Sequence, residues 1–330
     1  MRIGQTNRRE FIAALGGAVL GPAAARAETR TARIGILLNF AASNNVAQAR
    51  LSKFSETLES LGWKQGRNLQ VEMRWTEGKT DLIRKDVAEL IALAPDLIIA
   101  ATTPAVTAVT HATSTIPVVF VSIVDPVGGG LVASMSRPGR NATGFVTFEF
   151  ALAAKWLEFL KEIAPSVTRA AVLRDSTVST GVGLFAAIQA VGPIGLELSV
   201  IDPADPTEME SQIAAFAREP NGGLIVTPSQ FTGNHPDLIA ASAARNKLPA
   251  IYPFRYFVDV GGLMSYGPTL YDEYRGAAGY VDRILRGERP AELPVQAPTR
   301  HELVINLKAA KALGLAMPQS LLTRADEVIE

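Results

Sequence analysis

The chain has 330 residues, 48% hydrophobic and 19% charged, a globular composition long enough for two domains. Lys plus Arg and Asp plus Glu number 32 each, so no basic field recruits nucleic acid or an acidic membrane surface. The absence of cysteine excludes disulfides, thiolate chemistry and a lipid anchor on an N-terminal cysteine.

The first segment reads as an export signal. Arg8-Arg9 precede an apolar run from Phe11 to Leu20, Gly21-Pro22 follow, and Ala25-Arg26-Ala27 forms a small-x-small cleavage site. The run is half of the roughly 20 residues that span a bilayer. Arg-Arg-x-Phe resembles the twin-arginine motif, although Asn7 and Ala13 depart from it, so the general secretory route stays open. Cleavage after Ala27 removes four arginines and Glu10 and leaves 28 basic and 31 acidic residues. A periplasmic location is expected.

Strand and helix patterns then alternate. Residues 33–40 form an apolar strand. Leu51, Phe54, Leu58 and Leu61 recur at helical spacing, and Gly62 closes that helix. Residues 69–75 alternate apolar with polar, the mark of a strand with one wetter face near a sheet edge. Thr80 or Asp81 is expected to cap the next helix, whose buried face is Leu82/Ile83, Val87 and Leu90/Ile91. Leu97 to Ala101 is a buried strand, broken by Thr102-Thr103-Pro104, after which small residues resume at helical spacing. Residues 116–126 form another continuous apolar strand. Such strands between helices indicate parallel sheets covered on both faces.

The second half repeats the theme with strands at 169–177, 196–203, 222–230 and 248–254 and helical runs at 207–218 and 235–246. A weak internal repeat relates "DLIIAATTPAV" to "GLIVTPSQF" and "IPVVFVSIVDPVGGGL" to "LPAIYPFRYFVDVGGL". The boundary falls at 140–150. The strand and helix in 262–287 are expected to return to the first lobe, and 302–315 to the second. The predicted division is 28–147 with 260–290 for lobe 1, and 148–259 with 291–330 for lobe 2, around a hinge.

Signatures of catalysis are missing. His111, His235 and His301 have no metal-ligand spacing, Gly128–Gly130 lack the Lys-Ser/Thr of a phosphate loop, and neither GxGxxG nor GxSxG occurs. Trp63, Trp75 and Trp156 read as core or edge packing. No cofactor, metal or catalytic residue is expected.

What recurs is polar residues at the carboxyl ends of strands: Asn39, Thr102, Thr103 and Asp125 in the first lobe, and Asp175, Thr177, Thr227, Ser229 and Tyr252 in the second, with Tyr266 in the returning strand. Parallel α/β sheets bind ligands beyond those ends, and two facing sheets enclose a cleft. Pro104 suits a first helical turn, Thr102 or Thr103 is expected to cap it, and the free N–H groups there attract a carboxylate.

The chain resembles the bacterial ABC-transporter substrate-binding proteins related to tryptophan-type binding proteins. The marks are "LGWKQGRNLQVEMRW", "TTPAV", "ATSTIPVVFVSIVDPVGGGLVASMSRPGRNATG", "LPAIYPFRYFVDVGGLMSYG" and "ELVINLKAAKALGL". The resemblance implies an α/β type I periplasmic-binding fold of two Rossmann-like lobes with three crossovers. It implies a monomeric, non-enzymatic binding protein that hands a small molecule to an ABC permease and its ATPase. Amino-acid-binding relatives are expected to carry an acidic-amide pair where this chain has Ser229-Gln230. Asp125, Asp175 or Asp259 are candidate substitutes for that acid, and an amino acid, another carboxylate and a neutral aromatic compound all remain open as ligands. The rival readings are a sensory binding protein and a hydrolase or isomerase on the same fold.

Overall fold

The computed structural model describes residues 30–191 and 195–330, and the predicted export segment 1–27 lies outside them. The first sheet is assembled from β1 (Ala32–Leu38), β2 (Leu69–Trp75), β3 (Leu97–Ala101), β4 (Val118–Ile123) and β5 (Ala142–Val146). Its order is β2-β1-β3-β4-β5, all parallel, with the half-wet β2 at an edge as its alternation predicts. Helices α1 (Asn45–Ser60), α2 (Thr80–Ala92) and α3 (Thr103–Ala112) connect its first four strands.

The second sheet has seven strands. Helix α4 (Leu152–Ile163) leads to β6 (Arg169–Leu173), α5 (Ser179–Ala190), β7 (Glu197–Ile201), α6 (Pro206–Phe216) and β8 (Gly222–Val226). Then follow α7 (Gln230–Asn234), α8 (Pro236–Arg245), β9 (Ala250–Tyr252), α9 (Arg255–Asp259), β10 (Met264–Pro268) and α10 (Leu270–Leu285). The chain ends with β11 (His301–Asn306), α11 (Leu307–Ala312), α12 (Gln319–Arg324) and β12 (Glu327–Ile329). The order is β12-β11-β10-β9-β8-β6-β7, with β10 and β11 antiparallel and the other pairs parallel.

The period of two along each strand decides which helices it meets. Ile34, Ile36, Leu38 and Ile99 share one apolar cluster with Phe54 and Leu58 of α1 and Tyr274, Ala277 and Val281 of α10. Leu37, Ile98 and Phe120 face the other way, onto Ile83, Val87 and Leu90 of α2 and Val106 and Val109 of α3. Both faces are covered, which is why these strands read as continuous apolar runs. The second lobe is built around one large cluster containing Trp156 and Phe148, whose rings meet edge-on at 5.9 Å.

Three segments cross between the lobes: 147–151 after β5, 268–270 between β10 and α10, and 296–301 before β11. The stretch 262–287 therefore divides. Its helix α10 packs against α1 of the first lobe, whereas its strand β10, expected there too, pairs with β9 and β11 of the second. The amphipathic pattern of α10 was readable locally; the sheet chosen by a five-residue strand depends on its partners. Two capping expectations also change. Lys79 precedes α2 and Thr102 precedes α3, and neither supplies a side-chain cap. Among the described residues no helix is long and apolar enough to cross a membrane.

Trp156 is fully buried, and its Nε1 donates to the Tyr266 carbonyl at 2.7 Å, pinning α4 to β10. Trp156→Ala is expected to lower stability by about 3–5 kcal/mol through cavity formation and the loss of this bond. Urea unfolding measures it; a loss below about 1 kcal/mol would mean that the second lobe is not organised around this indole.

Candidate ligand cleft between the lobes

The carboxyl ends of β1, β3 and β4 face those of β6, β8 and β9 across a cavity holding about 850 Å³ of empty space, its open mouth included. Facing strand ends between two lobes are where such folds place small-molecule sites. Its walls are mostly apolar: Phe40, Val46 and Val124 from the first lobe, Phe254 and Tyr256 from the second, and Phe148 beside a crossing segment. Polar groups enter at Thr102, Thr103 and Ser122 on one side and at Thr180, Ser229 and Gln230 on the other.

The β3–α3 turn is the most constrained part of the wall. Thr102 has φ 77° and ψ 151°, a conformation that a β-branched residue adopts only under strain of order 1–3 kcal/mol. Its N–H donates to Val121 O at 3.1 Å, and its hydroxyl accepts from Asn39 Nδ2 at 3.1 Å instead of capping the helix. Helix α3 opens with Val106 N–H donating to Thr102 O at 3.1 Å, so the N–H groups of Thr103 and Ala105 precede its first internal bond. Pro104 contributes no N–H in the same turn. The positive end of α3 is thus presented uncapped at the cavity wall. Ser122, also at positive φ (59°), lies where the β4–β5 register shifts.

Asn39 joins the two lobes. Its Nδ2 donates to Thr102 Oγ1 and, at 3.0 Å, to Gln230 Oε1 in the second lobe. Its Oδ1 accepts from Thr76 Oγ1 at 2.8 Å and from Gly78 N–H at 2.9 Å. Farther out, Asn44 Nδ2 reaches Asn234 Oδ1 at 3.4 Å.

Of the ten residues singled out from sequence, Thr102, Thr103 and Ser229 line this cavity. Asn39 lies buried behind the wall, with all its hydrogen-bonding capacity used. Asp125 and Asp175 are absent from the lining and serve local turns, accepting from Gly128 N–H at 2.8 Å and Thr177 N–H at 3.0 Å respectively. Thr177 is exposed, donating its hydroxyl to Asp175. Thr227 is fully buried and donates to Leu173 O at 2.9 Å. Tyr252 stacks on Phe257 at 5.0 Å, away from the cavity, where burial pushes its hydroxyl pKa up. Tyr266 stacks on His301 at 5.7 Å in the second lobe. Ser229 caps α7, accepting from Thr232 N–H at 3.1 Å.

Gln230, named from sequence beside Ser229 as a strand-end polar residue, also lines the cavity, whereas Arg50 and the aromatic wall were missed. Arg50 carried a legible signal: it interrupts the buried stripe Ala47, Leu51, Phe54, Leu58 of α1. The aromatic wall had none, because its members lie on separate loops that only the tertiary fold assembles.

Two α/β lobes joined by three crossing segments, with a cavity at their facing strand ends, define the type I periplasmic-binding fold. The chain belongs to the ABC transporter substrate binding protein family, whose sequence profile matches residues 40–329. The tyrosine-binding protein of Clostridioides difficile strain R20291 is 25% identical over 264 residues, covering 79% of this chain and 75% of that protein. A conserved domain protein of Vibrio cholerae superposes with a TM-score of 0.84 at 25% identity, over 91% of this chain and all of the other. An ABC domain from Streptococcus pneumoniae in complex with L-Trp matches the fold with a TM-score of 0.82 at 24% identity and the same coverage.

Behind the cavity, Glu273 of α10 is buried against the hinge. It accepts from Ser122 N–H and from the Thr147 hydroxyl, at 3.1 and 3.2 Å. Burial raises its pKa from 4.5 to about 7, against the opposing effects of the Ser122 N–H, the Arg50 charge and Thr147. Its folded pKa exceeds its unfolded value. Its contribution to stability is therefore full below pH 4.5 and is lost as pH rises through about 7. The expected loss across that window is on the order of 3 kcal/mol. Glu273→Gln should abolish it. Unfolding titrations of both proteins measure the difference, and parallel pH profiles would contradict the assignment.

Proposed function

We propose that this protein is the exported, periplasmic solute-binding component of an ABC importer, delivering a small organic carboxylate with an apolar, aromatic-compatible body to a permease and its ATPase. The ligand lies between the lobes, and hinge closure about the three crossing segments forms the shape the permease accepts. The observation that carries this reading is the cavity itself: apolar walls from both lobes around one uncapped helix end. The cross-cleft Asn39–Gln230 bond supports closure, since it exists only while the lobes are together. Family membership supports the transport partner, and the relatives named for tyrosine and bound to L-Trp support a ligand with an aromatic body. The signal-like segment 1–27 supports export, with cleavage after Ala27.

The α3 turn is assigned to the carboxylate. Calorimetry against aromatic amino acids and aromatic and aliphatic carboxylates should find a binder. At 100 times its Kd, that compound should stabilise the protein by about 2.7 kcal/mol. Thr103→Val keeps the side-chain shape and removes the hydroxyl. It should weaken that compound about 10- to 150-fold while leaving the unfolding of the free protein unchanged. Unchanged affinity in the variant would remove the turn from the site, and a panel without any binder would remove the solute-binding reading.

A further inference from the structure

We propose that Arg50 supplies the charged anion-binding group of the cleft beside the α3 turn, and that the ligand is a carboxylate carrying no α-ammonium group. This rests on the solute-binding reading above and narrows it. Arg50 is 6% exposed within the buried stripe of α1 and forms part of the cavity wall. A guanidinium remains charged in a protein, and burying one without a partner is strongly unfavourable. Yet among the described residues no carboxylate lies within 4.0 Å of it, and its Nε is sealed from solvent without a hydrogen-bond partner. Beside it stand the Phe40 ring, 5.7 Å from guanidinium carbon to centroid, and the buried hydroxyl of Tyr274, a neutral group that leaves the charge uncompensated.

Three acids line the adjoining crevice: Asp259 pairs with Arg255 at 3.4 Å, Asp272 with Arg275 at 2.7 Å, and Glu302 feels the charges of Arg255 and Arg300. Glu273 feels the Arg50 charge, but its oxygens are held by Ser122 and Thr147. Among the described residues no Asp or Glu lines the cavity, and Ser229 and Gln230 are neutral. The first-lobe wall therefore carries two positive sources, Arg50 and the α3 N-terminus, and no negative one. A carboxylate there gains a charge-assisted, bidentate-capable donor. An ammonium group would be desolvated in a positive field with nothing to pair with. Such a cavity selects the deaminated acid over the amino acid of the same shape, in contrast to relatives named for tyrosine or bound to L-Trp.

The test is calorimetry on the mature protein with 3-phenylpropanoate, 3-phenylpropanamide and L-phenylalanine, repeated with indole-3-propanoate and L-tryptophan to cover ring size. At least one acid should bind about tenfold or more tighter than its amino acid, and the amide should bind poorly. Arg50→Gln should weaken the acid about 10- to 150-fold and the amide less than about threefold, with Arg50→Lys in between. If circular dichroism shows Arg50→Gln unfolded, the wild-type comparison of acid with amino acid decides alone. Amino acids binding as tightly as the acids, or Arg50→Gln weakening acid and amide equally, would overturn this inference and leave the solute-binding reading standing. Failure of all five probes to bind at millimolar concentration would overturn it, and a parallel failure of the broader panel would take that reading with it.

Discussion

Asn39 has four hydrogen-bonding valences, and its surroundings satisfy all of them. Three go to the first lobe, fixing the end of β1 to the turn after β2 and to the strained start of α3. The fourth goes to Gln230 of the second lobe. Separating the lobes strips one bond from a side chain that is 1% exposed, a cost only water or a ligand could offset. Gly78 permits the contact. It sits at φ 80°, and a Cβ there would overlap the Gln230 amide. The geometry of the β3–α3 turn, the approach of the lobes and the shape of the cavity thus meet at one amide.

The hinge side is organised by a different balance. Glu273 gathers the Ser122 N–H from the end of β4 and the Thr147 hydroxyl from the first crossing segment, so one carboxyl spans the sheet and the hinge. Ser122 and Thr102 are both held at positive φ at adjacent strand ends. Strain of this kind persists where surrounding bonds over-determine the backbone, and here those bonds come from Asn39 and Glu273. Arg50 lines the same cavity, and its charge reaches Glu273.

Much of the scaffold was legible because it follows from local periodicity. The runs at β1, β3 and β4 are apolar on both faces, and the parallel sheet with helices on both sides follows. The family resemblance extended that to the lobes and crossovers. Less of the site could be read. Thr227 and Tyr252 end strands as Thr102 does, yet Thr227 turns back to Leu173 O and Tyr252 packs under α9, because the direction of a strand-end side chain depends on contacts no single strand contains. Asp125 and Asp175 carry turn chemistry that looks the same in sequence whether or not a ligand is near. Arg50 was the readable exception, a cation in an apolar stripe.

Closure of the two lobes on a ligand is the central claim, and the distance between them is its most direct measure. The chain has no cysteine, so Lys79→Cys and Asp237→Cys, exposed positions on opposite lobes, give a uniquely labelled pair. Double electron–electron resonance with spin labels at these sites should give a broad distribution in the free protein. Saturation with an acid shown by calorimetry to bind should collapse it to a single shorter distance. An identical distribution with and without saturating ligand would contradict the account.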